Sequence, residues 1–202
     1  MKSLVIIIPG AKIDPSPLVK KIFSFIYYIF KVDTKGRSWA YKLKKHLVNK
    51  DTEVVVFDWP KGFSYRFSLL PASKKLAILI QKNQKNYSKT VILGKSLGGV
   101  IGKLTLSQNE LKVSKIIYIS TPHKSKKIDL GETQQINIYS SIDNYVGFAN
   151  KILYLEGGEK RIENGENIEL PLRHGDFNRN IETEIEGKKT KLFDYYKNLL
   201  KL

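Results

Sequence analysis

Short runs of β-branched and aliphatic residues alternate along the chain with longer segments in which apolar positions recur every three or four residues. The first kind predicts strands at Ser3 to Ile8, Glu53 to Asp58, Thr90 to Leu93, Lys115 to Ile119 and Gln135 to Ser140, with a weaker one near Ile168 to Leu170. Several of these are continuously apolar, the pattern of strands covered on both faces. The second kind predicts helices. Arg37 to Asn49 places Ala40, Leu43 and Leu47 on one face, and Ala72 to Asn83 does the same with Leu76, Leu79 and Ile80. Leu97 to Ser107 and Lys189 to Leu202 complete the set, the last presenting Leu192, Tyr196, Leu199 and Leu200 along one side. Such alternation specifies an α/β fold, a mostly parallel sheet of about six strands with helices on both faces.

Two segments interrupt the pattern. Residues 15–35 insert an aromatic-rich run, Ile22 to Phe30, between the first strand and the first helix. It reads either as a buried helix or as a flap at the catalytic face whose flanking lysines meet lipid headgroups. Gly157 to Glu169, rich in Gly, Glu and Asn, reads as an exposed hairpin or loop.

A chain of 202 residues, 42% of them hydrophobic, fills one core and is short for two, so residues 1–202 are expected to form one domain. The absence of cysteine excludes disulfides, thiolate metal sites and a cysteine nucleophile. Lys and Arg number 35 against 19 acids, a net charge of +16 and a pI near 9.8, which favours approach to anionic membranes or acidic partners. The lysines are scattered over every segment, as biased nucleotide composition would scatter them, so the charge marks no site. Nucleic-acid binding is not expected, because no single element interleaves basic and aromatic residues. The apolar start of the chain lacks a cleavage pattern, and Ile22 to Phe30 falls well short of the roughly 20 residues that span a bilayer. A cytoplasmic location without a transmembrane helix is the expectation.

The chemistry concentrates in Thr90-Val-Ile-Leu-Gly-Lys-Ser-Leu-Gly-Gly99, where an apolar strand runs directly into Gly94-Lys95-Ser96-Leu97-Gly98 and then into a helix. This is G-x-S-x-G in strand-turn-helix context. A serine at so sharp a turn needs neighbours without bulk two residues to either side, which Gly94 and Gly98 provide. A Gly-rich turn with no chemistry is the bland alternative. Gly94-Lys95-Ser96 also imitates the end of a phosphate-binding loop, but that motif needs a glycine five positions before Gly94, where Lys89 stands.

With these residues the chain resembles the α/β-hydrolase family, and within it the compact lipase and esterase members. Ser120-Thr-Pro-His123 is similar to the Gly-Thr-Pro-His turn of lipase-like esterases, and Trp39 sits on the first helix where such proteins often carry an aromatic. The resemblance implies a triad in the order serine, acid, histidine. Of the three histidines, His46 precedes Ser96 and His123 follows it too closely, which leaves His174, just before the last helix. Asp143, in Ser141-Ile-Asp-Asn-Tyr-Val146 after a strand, resembles the family's acid loop. Asp129 is the runner-up, and Asp176 lies too close to His174.

The resemblance further implies an oxyanion hole formed by the backbone N–H of Leu97 and, from Ile8-Pro9-Gly10-Ala11, that of Ala11. The activity it implies is hydrolysis of carboxylic esters through an acyl-enzyme on Ser96, with no cofactor and no metal. Phe23, Phe25, Tyr27 and Phe63 are candidate residues of an apolar acyl pocket. The rivals are an acyl-thioesterase or lipid acyl hydrolase and, from another class, a catalytically silent hydrolase fold that binds anionic membranes or partners. The natural ester and the oligomeric state are not legible in the sequence.

Overall fold

The computed structural model of the chain describes residues 2–10, 38–59, 68–147 and 159–200. Six strands, β1 (Ser3–Ile8), β2 (Thr52–Val56), β3 (Lys89–Lys95), β4 (Lys115–Ile119), β5 (Gln134–Tyr139) and β6 (Glu166–Glu169), form one sheet in the order β2-β1-β3-β4-β5-β6. All five pairings are parallel. Parallel neighbours need crossovers, and these are supplied by α1 (Ser38–Leu47), α2 (Leu70–Asn83) and α3 (Leu97–Ser107), with α4 (Leu192–Leu199) closing the described chain.

The continuously apolar strands explain the layering. In β1, Val5 and Ile7 point to one face and Leu4, Ile6 and Ile8 to the other, and each set joins a separate core. On the first face Trp39, Ala40, Leu43 and Leu47 of α1 meet Leu192, Phe193 and Tyr196 of α4 over Val91, Leu93, Ile117 and Ile138. On the second, Ala72, Leu76 and Ile80 of α2 and Leu97, Val100 and Ile101 of α3 cover Ile92, Ile116 and Tyr118. The α3 sequence LGGVIGKLTLS is apolar nearly all round, as a central helix must be. Trp39, expected as an aromatic of the first helix, is fully buried core.

The main strands and helices fall where the hydrophobic pattern predicts, within about two residues at their ends. Two expectations need correction. Lys189 to Leu202 is not all helix: Lys188–Lys191 is strand β8, paired antiparallel with β7 (Glu182–Ile185), and the helix begins at Leu192. The turn between them, Glu186-Gly187, has both residues at positive φ (53° and 75°), the geometry of a two-residue hairpin. Nor is Gly157 to Glu169 simply a loop, because Glu166–Glu169 is the parallel edge strand β6. The side-chain amide of Asn137 on β5 bonds the Asn167 side-chain oxygen at 2.9 Å, and Ile168 packs against the core. The aromatic insertion expected at 15–35 lies outside the described residues. Among the described residues no helix is long and apolar enough to cross a membrane.

Candidate active site

The segments that follow the six parallel strands leave the sheet at one rim, the C-terminal edge where parallel α/β sheets bind ligands. Ser96, Asp143 and His174 all lie there. Ser96 stands between β3 and α3 with φ 51° and ψ −125°, a left-handed conformation strained for any residue but glycine. The glycines around it are fixed by close approach: a Cβ on Gly98 would lie 2.1 Å from the Ile8 carbonyl oxygen, and one on Gly94 2.6 Å from Gly99 Cα. Gly98→Ala is therefore expected to destabilise the protein by more than about 3 kcal/mol, read by thermal or urea unfolding, because backbone on both sides has to shift.

Asp143 follows β5 and is 1% exposed. Its Oδ1 accepts the backbone N–H groups of Tyr145 (3.0 Å) and Val146 (3.3 Å), and its Oδ2 accepts the Ser120 hydroxyl. His174 Nδ1 lies 2.9 Å from Asp143 Oδ2, and Tyr145 packs on the imidazole with ring centroids 4.2 Å apart. A carboxylate only accepts, so Nδ1 carries the proton and Nε2 is the free base. The carboxylate and imidazole singled out in the sequence are thus in direct contact. Ser96 follows Lys95, which pairs with Ile119 across the β3–β4 ladder, and Ser120 follows Ile119. The Ser96 N–H donates to the Ile119 carbonyl at 2.9 Å. The proposed nucleophile therefore leaves β3 beside the strand whose next residue touches both Asp143 and His174.

The electrostatics suit a base. Burial pushes the His174 imidazole down to about 4, helped by the Lys95 ammonium and opposed by Asp143, so it is neutral at physiological pH. Burial alone would raise Asp143, but hydrogen bonds from His174 and Ser120, with the Lys95 charge, hold it below its ordinary value. Lys95 is itself 3% exposed. An activity that needs neutral His174 should hold as pH falls and be lost through about 4 in kcat/KM. Lys95→Met removes a cause of the depression and is expected to move that midpoint upward. Stability changes at higher pH than activity: the unfolded imidazole takes its proton near 6.5 and the folded one only near 4, so this contribution declines as pH falls between the two.

The first residue of α3 is Leu97, whose N–H has no carbonyl one turn earlier to bond and opens at the positive end of the helix dipole. Across from it, a Cβ on Gly10 would stand 3.1 Å from Ser96 Cβ, so the loop after β1 lies against the elbow. Trp59 anchors that loop by donating its indole N–H to the Pro9 carbonyl at 2.8 Å. Ala11, Phe23, Phe25, Tyr27 and Phe63 lie outside the described residues.

The other candidates fall away from this cluster. His46 Nε2 meets Asp194 at 2.8 Å and ties α1 to α4. His123 is fully buried, pushed down to about 3 by burial and by the Lys103 charge, and its Nε2 meets the Asn137 side-chain oxygen at 3.1 Å. Asp129 accepts the Gly131 N–H in an exposed turn. Asp176 accepts the Arg173 N–H within its own turn. Among the described residues no group of three or more His, Asp or Glu could hold a metal ion. Two residues not singled out by the motif also act on the imidazole: the Ser120 hydroxyl lies 2.9 Å from His174 Nδ1, and the Lys95 charge lowers the imidazole's affinity for a proton.

Comparison with known proteins agrees with this architecture. A family model described as the PGAP1-like alpha/beta domain matches residues 15–162, more than half of the chain. The chain belongs to this family. In fold it is similar to a candidate cell surface hydrolase from Lactobacillus plantarum, at 12% identity over 98% of this chain and 90% of that one, with a TM-score of 0.51. It is similar also to an α-β serine hydrolase homologue from Coxiella burnetii, at 11% identity over 98% and 83% of the two chains, with a TM-score of 0.51. A lipase-esterase related protein from Clostridium acetobutylicum aligns at 15% identity over 61% of this chain and 44% of that one, with a TM-score of 0.38. The chain thus spans less than half the length of that relative. No curated protein matches the sequence. At these identities the likeness establishes the α/β-hydrolase fold and nothing finer.

Proposed function

We propose that this α/β-hydrolase domain is a serine hydrolase that cleaves carboxylic esters through an acyl-enzyme on Ser96. The observation that carries the reading is the contact of a buried, ionised carboxylate with the Nδ1 of a neutral imidazole, Asp143 to His174 at 2.9 Å, at the rim from which a strained serine elbow also leaves. In this reading the Ser96 hydroxyl attacks the ester carbonyl as His174 Nε2 takes its proton, and Asp143 stabilises the imidazolium. The tetrahedral oxyanion is met by the Leu97 N–H and by a second donor, assigned to Ala11. The imidazolium then protonates the departing alcohol, and a water attacks the acyl-enzyme by the same route, releasing the acid and restoring Ser96.

No metal or organic cofactor enters this sequence of steps. The apolar substrate class rests on the aromatic residues Phe23, Phe25, Tyr27 and Phe63, which in the sequence fall between β1 and α1 and between β2 and α2. The experiment is a fluorophosphonate probe followed by peptide mass mapping. A phosphonylated Ser96 supports the enzyme; an unlabelled protein overturns it in favour of a silent hydrolase fold that binds a surface or partner. p-Nitrophenyl esters of rising chain length, assayed beside acyl-thioesters, then fix the leaving group and the acyl length.

A further inference from the structure

We infer that Ser120 is a positioning residue of the proposed site, fixing the Asp143 carboxylate and locking the His174 tautomer through one hydroxyl shared between them. The inference rests on the triad reading above and adds a fourth side chain to it. Ser96 and Asp143 follow strands β3 and β5, with β4 between them, so the strands they leave are about two strand spacings apart, roughly 10 Å. Ser120 stands at the end of that intervening strand, 1% exposed. Its Oγ donates to Asp143 Oδ2 and lies 2.9 Å from His174 Nδ1, while Nδ1 lies 2.9 Å from the same Oδ2.

The consequences follow from counting donors. Asp143 accepts two backbone N–H groups at Oδ1, and Ser120 and His174 at Oδ2, so the roughly four lone-pair positions of the carboxylate are all used and its plane is fixed. Having given its proton to Asp143, the Ser120 hydroxyl can only accept from His174. Both neighbours of Nδ1 are then acceptors, the proton is held on Nδ1, and Nε2 is kept free to act as base. The backbone points the same way: Ser120 sits at φ 48°, a left-handed conformation that glycine adopts freely and serine does not. A residue chosen only to make this turn would be glycine, whereas the hydroxyl needs a Cβ.

Ser120→Gly and Ser120→Ala separate the two roles, since both remove the hydroxyl and only glycine relieves the backbone. Both are expected to lower kcat on p-nitrophenyl butyrate about tenfold, the loss of one hydrogen bond to a charged group, with KM within about twofold. Ser120→Gly is expected to melt about 2–4 °C above Ser120→Ala. Proton NMR gives a readout independent of turnover: a downfield His174 Nδ1–H resonance in the wild type that broadens or disappears in Ser120→Gly. A Ser120→Gly variant with wild-type kcat and an unchanged imidazole resonance overturns the inference and leaves Ser120 a turn residue. If the wild type neither turns over esters nor takes up a fluorophosphonate, the enzyme reading fails by itself, and the resonance still decides whether Ser120 positions His174.

Discussion

Ser96→Ala is expected to lower kcat for a p-nitrophenyl ester by about 10⁴-fold to 10⁶-fold, and to leave the fold intact. The size follows from the role assigned to the hydroxyl: without it no acyl-enzyme forms, and what remains is the help that binding and the Leu97 N–H give to direct attack by water. Stability should change little, because alanine keeps the left-handed backbone of φ 51° and leaves no charged group unpaired. Ser96→Gly relieves that backbone and is expected to be more stable than Ser96→Ala by about 1 kcal/mol. Kinetics on purified variants with thermal melts in parallel check both statements. A Ser96→Ala protein that retains more than about a tenth of wild-type kcat removes the nucleophile from the proposal.

The parts of this molecule that follow from one-dimensional pattern were legible before the fold was known. Val5 and Ile7 against Leu4, Ile6 and Ile8 already specify a strand buried on both faces, and the structure places the two sets in two cores. The Gly94 to Gly98 spacing is legible for a steric reason, since a Cβ at either position collides with backbone. Asp143 and His174 are the acid and base that the α/β-hydrolase resemblance implies, and they stand in contact. What was missed depends on backbone torsion or on direction of approach. The Glu186-Gly187 turn gives a hairpin only because both residues take positive φ, so the charged residues of β8 read from the sequence as the start of the last helix, and β7 gives no strand signal. Ser120 and Lys95 carry no periodic signal. Their importance lies in a hydroxyl in contact with His174 and an ammonium whose charge acts on it, from positions that sequence spacing leaves undetermined.

Asp143→Asn tests the centre of the electrostatic argument, and its expected effect is a loss of about 10⁴-fold in kcat with a folded protein. The backbone around residue 143 decides how an asparagine would sit. Tyr145 and Val146 aim N–H groups at Oδ1, so the amide oxygen is drawn to that side and the NH₂ group is left facing Ser120 and His174. A donor there forces His174 Nδ1 to accept, which moves the imidazole proton to Nε2, the atom that has to take the proton from Ser96. The opposite rotamer sets the NH₂ group against two backbone N–H groups in a buried site, where unsatisfied donors are costly. The variant is therefore expected to hold the wrong tautomer across the working pH range, with fluorophosphonate labelling slowed in step with turnover and the melting temperature lowered only modestly. Turnover within tenfold of wild type would mean that Asp143 does not set the imidazole proton, and the acid would have to be sought elsewhere on the rim.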